Sequence, residues 1–124
     1  MKRVFVTGMT RCEADPDVQK MRRGADVESM WVDVQARGQG LPGGTFPERR
    51  EFDSVIYVVS LWDLGSTQMG VHFAETESRI KANERFVLPI DEVLDSPRNV
   101  QLLKAISHYP PLDRAAALEI CKRC

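Results

Sequence analysis

The stretch that most constrains this chain is Phe52 to Trp62, Phe-Asp-Ser-Val-Ile-Tyr-Val-Val-Ser-Leu-Trp, its longest β-branched and aromatic run. Such a run reads as a strand. By parity Phe52, Ile56, Val58 and Trp62 fall on one side and Val55, Tyr57, Val59 and Leu61 on the other. Neither side is polar, the pattern of a central strand covered on both faces.

Around this strand the chain offers shorter elements. Val4-Phe5-Val6-Thr7 reads as a first strand, released by Gly8. Asp15 can cap a short helix with Pro16 at its first position, and Gly24 can end that segment after Arg22 and Arg23. From Val27 to Gln35, Met30, Val32 and Val34 alternate with Ser29, Trp31, Asp33 and Gln35, a half-buried strand with Trp31 on its more polar side. Residues 36–51 hold Gly38, Gly40, Pro42, Gly43, Gly44 and Pro47 and read as the longest loop.

After the central strand, Asp63 to Ser66 reads as a turn, and Val71 to about Ser78 as a strand returning in a hairpin. Lys81 to Glu84 reads as another turn, leading to a strand from Arg85 to Ile90 whose Pro89 marks it as an edge. Two helices close the chain: one opened by Asp95 or Ser96 and Pro97, with Leu102, Leu103, Ile106 and Tyr109 as its stripe, and one from about Leu112 to Arg123. Strands early and helices late predict an α+β fold. The expected architecture is a mostly antiparallel sheet of about five strands with two C-terminal helices packed on one face, in a single domain over residues 1–124. On that reading the other face still needs a cover, from residues 12–24, the long loop or another chain, a second copy included.

Composition narrows partners only by subtraction. A formal charge of -1 supplies no general attraction for nucleic acid, and no apolar run is long enough to span a membrane. Three cysteines cannot form a closed disulfide framework, which suits the cytoplasm.

The candidate chemistry is local. Gly38-Gln39-Gly40-Leu41-Pro42-Gly43 matches a phosphate-cradling turn, but Thr45-Phe46-Pro47 follows it where a helix should begin. Cys121-Lys122-Arg123-Cys124 is half of a zinc or redox site and would need Cys12 with His72 or His108. Asp63 with Glu77-Ser78-Arg79 resembles the carboxylate set of a metal-dependent nuclease, with arginine where a lysine is wanted. His72 on a strand would face away from Glu75, His108 sits near a helix end, and Ser60 lacks a nucleophile turn. No catalytic set, metal site or cofactor follows.

What remains is a binding protein. Trp31, Phe46 and Met69 are the large side chains near loops and strand ends, and Arg37, Arg49 and Arg50 flank the long loop. The favoured expectation is a small cytoplasmic inhibitor or adaptor, of the kind bacterial viruses and mobile elements encode, gripping another protein through a sheet face and the 36–51 loop. The alternative is a nucleic-acid binder or metal-dependent nuclease, pairing the arginines with phosphates and stacking bases on Phe46.

Overall fold

A computed structural model describes residues 2–33, 46–60, 67–91, 97 and 109–122. Strand β1 (Val4–Met9) runs into a single helical turn, α1 (Thr10–Glu13), and a short helix, α2 (Pro16–Met21), which returns the chain to β2 (Val27–Val32). Strand β3 (Glu51–Val59), helix α3 (Thr67–Arg79) and strand β4 (Lys81–Pro89) form the next unit, and α4 (Arg114–Lys122) follows.

The sheet has four strands in the order β2-β1-β3-β4, and every pairing is parallel. This overturns the expected five-stranded, mostly antiparallel α+β sheet. The error lies in residues 67–79, which form α3 where a return strand was expected. Met69, His72, Phe73 and Thr76, with Ile80 just past its end, are buried, a helical stripe spaced by three and four, while Val71 is 47% exposed. Two of the five are polar, so the apolar residues alone hide the period. With a helix between them, β3 and β4 cannot make a hairpin and pair in parallel through a crossover. Lys81 to Glu84, expected to turn, already belong to β4.

The central position of β3 is as expected, between β1 and β4. Its first residues depart from simple alternation. Arg3 O accepts from both Asp53 N and Ser54 N, at 2.9 and 3.2 Å, a bulge-like bifurcation. It places Phe52 with Val55, Tyr57 and Val59 instead of with Ile56 and Val58, and Phe52 meets the Phe5 ring at 5.4 Å between centroids.

Helices cover both faces. Val4, Val6, Ile56, Val58 and Leu88 pack against Cys12, Val18, Met21, Ala117 and Cys121, so α1, α2 and α4 share one side. On the other, Phe5, Met9, Met30, Val32, Tyr57, Val59 and Val87 meet Met69, Phe73 and Ile80, with Phe46 and Tyr109 closing the margin. The C-terminal helix therefore shares its face with the segment expected to cover the opposite one, and α3 is the cover that was missing. Right-handed crossovers require this: β1 to β2 and β3 to β4 step in opposite directions along the sheet, so their helices fall on opposite faces.

Capping fixes the ends. Asp15 accepts from Asp17 N and Val18 N, with Pro16 in the first turn of α2, as the sequence predicts. Asp113 accepts from Ala116 N at 2.7 Å at the start of α4. Arg114, the first residue of α4, opposes the helix dipole, but its guanidinium meets Asp15 and Asp17, each at 2.8 Å, and the Ile90 carbonyl. Two carboxylates outweigh a partial positive charge, and one side chain ties together the starts of α2 and α4 and the end of β4. The expected helix after Pro97 lies outside the described residues, Pro97 and Tyr109 aside.

Candidate functional site

The strand order reverses direction between β1 and β3, and there the chains leaving the carboxyl ends diverge to opposite faces. In open parallel sheets this divergence leaves a crevice above the strand ends. Gly8, Met9, Thr10 and Arg11 lead out of β1, Ser60 leads out of β3, and Met69 and Gly70 begin the described side chains of α3. Gly8 is required by packing: a Cβ there would lie 2.5 Å from Val58 O and 3.2 Å from the Trp31 ring.

One helical turn below this edge, His72 is fully buried against β1. Its Nε2 lies 2.8 Å from Thr7 Oγ1, and the same hydroxyl donates to Met30 O at 2.8 Å. A hydroxyl has one proton and a carbonyl can only accept. Thr7 therefore gives its proton to Met30, and His72 must donate from Nε2 to the Thr7 oxygen. The tautomer is thereby set, with a bare lone pair on Nδ1. That atom is buried and has no hydrogen-bond partner among the described residues. Burial pushes the imidazole pKa down from 6.5 to about 4, so the ring is neutral at pH 7. His72 is thus an oriented neutral acceptor, held through Thr7 by the backbone of β2.

Sequence reasoning dismissed His72 because a strand would carry Glu75 to the opposite face. On α3 the two positions, three residues apart, are neighbours on one helix surface, and Glu75 is half-buried. The missed signal was the Met69, His72, Phe73, Thr76 stripe.

A second polar group lies on the same side of the sheet. Arg85 donates to Tyr57 Oη at 3.1 Å and to the Ile80 carbonyl, and Tyr109 donates to the Glu77 carboxylate while its ring stacks on Tyr57. Burial raises the Tyr57 pKa, and burial with the Glu77 carboxylate pushes Tyr109 up to about 12. Both phenols stay protonated at neutral pH and clip the 109 segment over the sheet.

The residues singled out from the sequence are dispersed. Trp31 is half-buried in β2 against the α2 and α4 side, with the Arg22 guanidinium 6.0 Å from its ring. Met69 is fully buried in α3. Phe46 is half-buried, Arg49 and Arg50 are exposed, and Arg50 approaches the Phe46 ring. Arg37, the glycine motif, Asp63, His108 and Cys124 lie outside the described residues. Glu77 bonds Tyr109, and Arg79 approaches Phe46. Cys12 and Cys121 are buried and lie in the same apolar cluster. Among the described residues no three histidine, cysteine or carboxylate side chains gather as a metal site, and no helix is long and apolar enough to cross a membrane.

No protein-family model matches the chain, and neither curated proteins nor solved structures yield a significant match.

Proposed function

We propose that this chain binds a small polar ligand in the crevice above the carboxyl ends of β1 and β3. The observation that carries the reading is the all-parallel sheet ordered β2-β1-β3-β4 with helices on both faces, the arrangement in which ligands bind where strand order reverses. His72 adds specific chemistry. A buried acceptor without a partner costs about 1–3 kcal/mol, and a ligand donor reaching Nδ1 would remove that cost. The neutral imidazole orients such a donor and can take its proton, so the site suits binding and proton transfer alike.

A cytoplasmic address belongs to the same proposal, supported by a count of three cysteines, which cannot form a closed disulfide framework. A protein partner gripping a sheet face has less support among the described residues, because helices cover both sides of β1 and β3.

Backbone amide spectra recorded during a screen of nucleotides, sugar phosphates and amino acids test the reading. Shifts should cluster at Gly8 to Arg11, Ser60 and Gly70 to Phe73. Ligands that instead moved only the outer strands β2 and β4, or a screen that moved nothing, would contradict it.

A further inference from the structure

A second cluster lies toward the opposite ends of the strands and touches the His72 ring only through Phe46. The Arg50 Cζ sits 5.7 Å from the centroid of the Phe46 ring and the Arg79 Cζ sits 5.1 Å from it. Arg50 immediately precedes β3 and Arg79 is the last residue of α3, so the fold brings together groups far apart in the chain. Phe46 is held from beneath, half-buried against the α3-side core with its ring 6.3 Å from that of His72.

This arrangement gathers positive charge without neutralising it. Arg22 and Arg114 each meet carboxylates, whereas neither Arg50 nor Arg79 has an ion pair among the described residues. Glu48 and Glu51 are exposed neighbours in sequence and make no ion pair with either arginine, and Glu77 is bonded to Tyr109. Arg49, next to Arg50 in the chain, is exposed. An exposed cation–π contact is worth only about 0.5–1 kcal/mol, while like charges gathered at one ring repel. An aromatic contact leaves the N–H fork of a guanidinium available, and that fork matches the oxygens of a phosphate.

We propose that Arg50 and Arg79, positioned by Phe46 and reinforced by Arg49, form a phosphate-binding site. The group bound is a phosphate dianion or diester, supplied either as the free ion or by a nucleic-acid backbone. Arg79 is the member that sequence reasoning did not place there.

Titration of the full chain with inorganic phosphate and, separately, with a single-stranded oligothymidylate tests the site, read from the arginine side-chain resonances. Saturable shifts at Arg50 and Arg79 with either probe are expected. Binding to the oligonucleotide at least tenfold tighter than to phosphate, weakening steeply with salt, assigns the group to a nucleic-acid backbone. Equal or weaker binding assigns it to the free ion. The double variant Arg50→Gln and Arg79→Gln should lose at least tenfold in affinity with its circular dichroism unchanged. Phe46→Leu, which keeps every charge, should lose several-fold through lost positioning. The proposal is overturned if neither probe binds, or if the double variant binds as the parent chain does.

Discussion

The two faces of the sheet are built from the same strands, yet they bury different polar groups. On the α1, α2 and α4 side the core holds two thiols and the hydroxyls of Ser54 and Ser60, the Trp31 Nε1 is buried without a partner among the described residues, and the charged network of Asp15, Asp17 and Arg114 lies at its rim. On the α3 side Thr7, His72, Thr76 and Tyr57 are fully buried, and Nδ1 of His72 is left without a partner among the described residues. Packing alone would favour apolar residues at these positions, since an unpaired buried polar atom is a net cost. Among the described residues only the α3 face buries an imidazole, the group that can change its charge between pH 4 and 7.

Four substitutions or titrations could break this contrast. The largest effect is expected from Gly8→Ala, whose Cβ would meet Val58 O on the α1, α2 and α4 side. Backbone oxygen cannot move aside as a side chain can, so a loss of about 3 kcal/mol in denaturant unfolding is expected. A loss below about 1 kcal/mol would mean that this face tolerates change.

The α3 side should respond to acid almost as strongly. His72 has its pKa lowered by burial from 6.5 to about 4. Its contribution is fully present above pH 6.5 and is lost as pH falls toward 4, because only the unfolded chain takes up the proton in that window. Stability should therefore fall by about 3 kcal/mol across it, and His72→Leu should abolish that slope. An unchanged slope in His72→Leu would assign the acid sensitivity elsewhere.

Arg114→Leu should cost about 1 kcal/mol, a modest figure because solvent screens the half-exposed guanidinium. Burial alone would raise the Asp15 pKa, but bonds from Arg114, Val18 and Asp17 hold it below its ordinary 3.8. The stabilisation is present above that value and is lost as pH falls below it. The difference between Arg114→Leu and the parent chain should accordingly shrink in acid, at a lower pH than the His72 effect.

Gly70→Ala is the smallest test. Gly70 lies inside α3 and a Cβ there meets nothing within 4 Å among the described residues, so alanine should stabilise by about 0.5–1 kcal/mol through helix propensity. Destabilisation would show that the open space at Gly70 has a use.

The same contrast explains what could be read from the residues alone. β1, β2, the capped α2, the central β3, the edge strand carrying Pro89 and the last helix are all legible, because each rests on local signals: β-branched runs, Asp15-Pro16, or charges at helix ends. α3 is not, because its inward stripe includes His72 and Thr76, which look exposed until they are seen to bond Thr7 and the His72 carbonyl. Losing that helix turned a parallel crossover into a hairpin and hid the reversal of strand order. The clustering of Arg79 with Phe46 and Arg50 was hidden for the same reason, since only a helix ending at residue 79 carries it there.

The most direct measurement is the imidazole nitrogen spectrum of His72 in uniformly labelled protein across pH. The account predicts one tautomer at pH 7, with the proton on Nε2 and Nδ1 bare, and no protonation until about pH 4. A proton on Nδ1, or an ordinary titration near 6.5, would contradict it.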